Sequence, residues 1–277
     1  MPTQKHFLDT SFLRPVLIGT SNYKKYFNDK LKNKDCYVSK YIKMEFTRSF
    51  IRNLIYFYFI LDLPTINSIS DAFNFWSNKF KSSELKAIIQ LAAKLFEFQE
   101  INLHKTRDKQ KALYAMGTLI KRYYLKSQRK FKDVGKDSTR CARSIISLKA
   151  EADNMTVGFK EFIEAFDNVE KCRSLCHIDD FLLKRYKSEV ELYIDESENQ
   201  KTNKASKKIV ENLNKIRAEG PEACSCKMCE KIGDAVIALD APRNMQLEHI
   251  DNSFDFLCPP INQPHQKHLS EVALQKS

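Results

Sequence analysis

With 277 residues, 43% of them hydrophobic, the chain can bury a large core, either as one domain or as a domain carrying a substantial insertion. Six Gly and eight Pro exclude a collagen-like or low-complexity chain, and the composition leans towards helix. A formal net charge of +11 points to a polyanionic partner, with nucleic acid ahead of an anionic membrane surface.

In chain order, Phe7 and Leu8 mark residues 5–8 as a short strand that ends at Asp9. Asp9-Thr10-Ser11 then reads as a strand end passing into a helix start. No secretory signal is expected in this polar opening, which is soon followed by Arg14, Lys24 and Lys25. Ser39 is a fitting cap for a helix on which Ile42, Phe46, Phe50 and Leu54 recur, until Leu63-Pro64 stops it. The most apolar run, 54–61, is far short of the roughly 20 residues a membrane span needs. It reads as buried helix, and a cytoplasmic protein with reduced thiols is the expectation.

The middle of the chain predicts a series of helices. Their apolar stripes are Leu85 to Phe96, then Leu113, Met116, Ile120 and Tyr124, then Phe159, Phe162, Ile163 and Phe166. Leu183, Tyr186, Val190 and Tyr193 form a fourth stripe, capped by Asp179 or Asp180. The polar run 195–206 lacks periodicity and predicts a linker. Ile209, Leu213 and Ile216 predict a last helix before Gly220-Pro221. Beyond it, 234–239 reads as a helix following Gly233, 245–250 as a strand ending at Asp251, and 263–277 as a frayed tail.

Two of these strands end in an acid. In an open parallel α/β sheet such acids gather at the carboxyl ends of strands, where loops converge. Phosphodiester hydrolysis needs a divalent cation held by hard oxygen ligands, and four carboxylates are candidates: Asp9, Glu45, Asp234 and Asp251. Taken singly each has an ordinary explanation. Asp9 and Asp234 would be helix caps, Glu45 a solvated helix face, and Asp251 a turn residue. Asp240 is a spare acid nearby, read as a helix-end residue. The order and setting of the four carry the argument.

The cysteines suggest a second metal. Cys224-x-Cys226-x-x-Cys229 has knuckle spacing, which lets thiolates share a tetrahedral Zn²⁺. Cys172 and Cys176 would complete it with Cys226 and Cys229, leaving Cys224 and His177 as reserves. Cys36, Cys141 and Cys258 are isolated and read as buried apolar residues. The zinc would be structural and would tie the helical middle to the segment presenting Asp234.

Most of the net charge lies in 105–143, where thirteen Lys or Arg face Asp108, Asp133 and Asp137. Lys121, Arg122, Lys126, Arg129, Lys130 and Lys132 alternate with Tyr123, Tyr124 and Phe131. Cations there would neutralise phosphates and aromatics would stack on unpaired bases, except Tyr124, which is expected to pack inward.

Four segments resemble the successive motifs of PIN domains. Phe7-Leu8-Asp9-Thr10-Ser11-Phe12-Leu13 resembles their opening. Residues 37–45, from Tyr37-Val38-Ser39 to Met44-Glu45, resemble the second motif, and Ile232-Gly233-Asp234-Ala235-Val236-Ile237-Ala238 the third. Leu247 to Asp251, with Asn252, Ser253 and Phe254, resembles the final strand segment. The resemblance implies an α/β fold: a PIN-like core with a short parallel sheet flanked by helices, plus a large α-helical insertion tied by a zinc knuckle. Residues 1–63 and 222–262 would be the core and 64–221 the basic insertion. Asp9, Glu45, Asp234 and Asp251 would bind Mg²⁺ or Mn²⁺ and activate water to cut RNA. The long helical middle departs from compact PIN domains. With the knuckle, the chain also resembles bacterial antiphage effectors that are zinc-finger ribonucleases. That likeness implies RNA as substrate, a protein activator such as a phage structural protein, and self-association, with no membrane. The rival expectations are a nucleic-acid-binding or sensor protein whose acids no longer catalyse, and a DNA-cutting enzyme.

Overall fold

A computed structural model describes residues 5–18, 21–79, 88, 105, 108–135, 138–148, 158–199, 204–223, 226–242 and 244–248. The fold is α/β. Its sheet has four parallel strands, β1 (Lys5–Leu8), β2 (Asp35–Val38), β3 (Lys132–Asp133) and β4 (Gln246–Glu248), in the order β3-β2-β1-β4. Residues far apart in the sequence meet in this sheet, because β1 pairs directly with β4.

The chain divides into two compact units. The first comprises Met1–Glu45, Lys130–Ile146 and Phe166–Ser277, and the second Phe46–Arg129 and Ser147–Ala165. This division differs from the expected one at 63/64 and 221/222. One reason is β3, which pairs with β2 and so brings part of the basic stretch into the sheet-bearing unit.

In the first unit, β1 leads into α1 (Thr10–Ile18), which buries Phe12, Leu13, Val16 and Leu17. Helix α2 (Ser21–Leu31) packs on it, with the Phe12 and Phe27 rings edge to face at 5.3 Å. After β2, the Ser39 hydroxyl accepts the Ile42 N–H at 3.3 Å and caps α3 (Lys40–Phe46).

A π-turn (Thr47–Ile51) continues into α4 (Arg52–Asp62), which stops before Leu63-Pro64 as the sequence predicts. With α5 (Ile69–Lys79), α6 (Asp108–Arg129) and α7 (Phe159–Asp167), it supplies most of the second unit. The core there is aromatic. Phe57 packs against Phe73 and Trp76, Phe50 against Tyr123, and Tyr58 against Phe159. The expected helix at 85–96 lies outside the described residues apart from Ile88, which is buried.

The first unit resumes with α8 (Val169–Leu175), a turn (Ile178–Asp180) running into a second π-turn (Phe181–Arg185), α9 (Lys187–Asn199) and α10 (Lys204–Glu219). The π-turn shifts the expected apolar stripe. Leu182, Val190, Tyr193 and Ile194 are buried, whereas Leu183 and Tyr186 are half-exposed. The predicted linker at 195–206 is wrong over most of its length, because α9 runs to Asn199 and α10 begins at Lys204. Glu, Lys and Ala in this run are good helix formers, so a polar sequence remains helical. Gly220, at φ +64°, follows the end of α10. Short helices α11 (Cys226–Lys231) and α12 (Gly233–Asp240) then lead to β4. No described helix is long and apolar enough to cross a membrane.

Candidate active site

The pairing of β1 with β4 sets where Asp9 emerges. Leu8 lies opposite Glu248, and the Asp9 N–H donates to the Glu248 carbonyl at 3.0 Å, one residue past the end of β1. Asp9 is therefore buried (5% exposed) at the carboxyl edge of the sheet. Its Oδ2 accepts the Ser11 N–H at 3.0 Å, so it also caps α1. The cap expected for an isolated Asp is real, and it fixes where this carboxylate sits.

Thr10 connects this strand end to α3. Its hydroxyl donates to Glu45 Oε2 at 2.5 Å. Glu45 comes close to α12 as well, for a Cβ added to Gly233 would lie 3.0 Å from Glu45 Oε1 and 3.8 Å from the Tyr41 hydroxyl. The residue after Asp9 and the residue before Asp234 thus both flank Glu45. Tyr41 donates to the Cys229 carbonyl at 3.3 Å and so joins α3 to α11. Asp234 is partly exposed in the first turn of α12.

Asp251 lies outside the described residues. Among the described residues, no group of three or more His, Cys, Asp or Glu is gathered closely enough to hold a metal ion. Glu45 offers hard carboxylate oxygens of the kind Mg²⁺ or Mn²⁺ takes, and the absence of a side chain at Gly233 lets one of them pack close to the start of α12. Asp240 is buried at the far end of α12 and accepts a hydrogen bond from the Ser138 hydroxyl, in keeping with a helix-end residue.

Beside Asp9 the sheet holds a polar cluster without an obvious signal in the sequence. His6 Nδ1 and Glu248 Oε1 lie 2.8 Å apart, and each residue is 2% exposed. Lys34 Nζ is 3.4 Å from the same Glu248 oxygen. Burial, and then the charge of Lys34, hold the His6 imidazole below its ordinary range, although Glu248 opposes the shift. Burial pushes the Cys36 thiol up to about 11. In the register of β1 against β4, His6 lies opposite Gln246 and Leu8 opposite Glu248, so alternation puts His6 and Glu248 on the same face as diagonal neighbours, a relation that neither strand shows alone.

The expected zinc ligands fall on adjoining elements of the first unit. Cys172 is buried on α8 and Cys229 on α11, and these two helices pack together. Cys226 begins α11, Cys176 is half-buried just after α8, and His177 is exposed. Cys224 and Cys258 lie outside the described residues. None of the described cysteines is in a disulfide. Cys141 is buried as expected, whereas Cys36 is only half-buried.

The expected nucleic-acid residues separate between the units. Lys121, Arg122, Lys126 and Arg129 lie on α6 in the second unit, and Lys130 and Lys132 in the first. The interleaved aromatics do not serve as a stacking platform. Tyr123 and Phe131 are each only 9% exposed, and Tyr124 is buried against Phe162, as its helical spacing predicts. Tyr123 turns inward because it lies beside Tyr124 on the buried side of α6, where it meets Phe50.

No family model matches this chain, and no curated protein or solved structure matches it.

Proposed function

We propose that the chain is a metal-dependent endoribonuclease with a PIN-like core, in which both chain ends build the reaction site. The observation that carries this reading is the chain of contacts from β1 to α12. Asp9 leaves β1 beside β4, Thr10 bonds Glu45, and Glu45 adjoins Gly233 next to Asp234. Acids at the carboxyl edge of a parallel sheet, drawn from distant parts of the sequence, suit the handling of a phosphodiester.

In this reading Asp9, Glu45, Asp234 and Asp251 hold Mg²⁺ or Mn²⁺. The bound cation would polarise the scissile phosphate and lower the pKa of a water. Thr10 holds the Glu45 carboxylate in place, and the missing side chain at Gly233 lets it lie close to the start of α12. Cys172, Cys176, Cys226 and Cys229 would bind a structural Zn²⁺, a reading supported by the packing of α8 on α11. RNA is the substrate, and the basic charge of the chain favours such a polyanion. The biological role we favour is that of an antiphage effector, silent until a protein activator engages it.

The test is digestion of single-stranded RNA and DNA, side by side, across a Mn²⁺ titration. Wild type should cut RNA only when the cation is present, and Asp9→Asn and Asp234→Asn should be at least about a hundredfold slower, the scale of a lost electrostatic contact to the transition state. Equally absent activity in all three proteins would favour a binding protein, equal cleavage by all three would remove Asp9 and Asp234 from the reaction, and preferential DNA cleavage would favour the DNA-cutting alternative.

A further inference from the structure

Two tyrosines in the first unit have lysine ammonium groups over their rings. Tyr26 on α2 is 42% exposed, and the Lys30 ammonium lies 5.0 Å from its ring centre. Tyr37 on β2 has Lys132 at 5.6 Å and Lys5 at 6.0 Å from its ring centre. Lys130, two residues before Lys132, donates to Asn28 Oδ1 at 3.0 Å and so links this edge of the sheet to α2. Lys25 and Lys32 add exposed charge on and just after α2.

Few carboxylates oppose these cations. Asp35 is engaged by Lys132 at 2.6 Å, and Asp133 by Lys43 at 3.0 Å, leaving Asp29, the single acid of α2. An ordinary solvated face mixes charge signs and has no need of exposed rings. Ammonium groups held beside accessible aromatic rings match an unpaired nucleic-acid strand, with cations for phosphates and a ring face for a base. The sequence pattern directed attention to Tyr123, Tyr124 and Phe131, but those rings are buried. Tyr26 is exposed and Tyr37 half-exposed, and each has a lysine ammonium beside its ring; Tyr114 on α6 is also exposed, in the second unit.

We infer that the surface formed by α2 and the β1-β2-β3 edge, centred on Tyr26, Lys30, Tyr37, Lys130 and Lys132, binds single-stranded RNA. The inference rests on the reading of the chain as a ribonuclease and adds where the strand is held. Lys5 precedes Asp9 by four residues, or about 13 Å along a strand. A few nucleotides of extended RNA span such a distance, so a strand held here remains within reach of the carboxylates.

The experiment measures fluorescence anisotropy of a labelled oligouridylate on full-length Asp9→Asn protein, from about 50 to about 200 mM salt. It compares that background with added Lys30→Ala plus Lys130→Ala, added Tyr26→Ala, and added Lys160→Ala as an exposed lysine elsewhere. The double lysine variant should lose at least about tenfold in affinity, with a salt slope shallower by about 1.4, the value for two lost phosphate contacts on a single strand. Tyr26→Ala should weaken binding with the slope unchanged, and Lys160→Ala should leave both unchanged. Binding within twofold of the background in the lysine and tyrosine variants would overturn the inference. So would lysine-dependent binding to phosphatidylserine vesicles with none to RNA. Wild-type cleavage is assayed in parallel. Patch-dependent binding without cleavage would remove the nuclease reading and keep the patch, whereas cleavage with unaltered binding would remove the patch alone.

Discussion

Thr10 carries much of the argument in a single hydroxyl. It is buried, and its bond to Glu45 joins the end of β1 to α3. Thr10→Val keeps the shape and leaves Glu45 without this donor, so unfolding by urea should show a loss of about 1.5–3 kcal/mol, the range for hydrogen bonds to charged groups. Thr10→Ser should retain most of that stability, and equal stability of the Val and Ser variants would contradict the role. His6 gives a pH prediction. Its folded imidazole takes a proton less readily than the unfolded one, so the unfolded chain binds more protons as pH falls. Stability is therefore fully present above the ordinary imidazole value of 6.5 and declines from there towards the lower folded value. Urea midpoints should drop between about pH 7.5 and about pH 5.5, and His6→Gln should flatten that drop. Asp9 was legible as a candidate because an acid directly after an apolar strand is a local signal. The His6–Glu248 pair was not, since it depends on the register between strands 242 positions apart.

Among the elements, those with a strong local pattern matched the sequence most closely. Residues 5–8 form β1, Ser39 caps α3, and α12 begins at Gly233. Ser39→Ala should lower stability by about 1 kcal/mol, as loss of an N-cap does, measured by thermal or urea unfolding. No change would mean that neighbouring packing alone sets the start of α3. Strands β2 and β3 were hidden for opposite reasons. In β2 only Val38 is fully buried, which erases any alternation, and β3 is two exposed residues held by pairing with β2. Helix α2 was hidden by its sequence, in which polar Asn, Lys and Asp surround a single buried anchor, Phe27, among the described side chains. The π-turn at 181–185 moved the inward face of the next helix by a step that a strict 3.6-residue period does not anticipate.

At the scale of the whole molecule, the sheet brings residues 5–8 and 246–248 into one ladder, and Glu45 on α3 joins the residue after Asp9 to the start of α12. The general α/β class was legible because two short strands bracket a helical chain. The division into units was not, because the basic stretch from 105 to 143 reads as continuous while its last part pairs with the sheet. The account stands on the sharing of one divalent ion by the two chain ends. Electron paramagnetic resonance of Mn²⁺ titrated into wild type, Asp9→Asn and Asp234→Asn measures that sharing without requiring turnover. The account predicts a bound ion in wild type and a loss of affinity in each variant of about tenfold or more, equivalent to about 1.4 kcal/mol. Mn²⁺ binding that is unchanged in Asp9→Asn and Asp234→Asn, or absent in wild type, would contradict it.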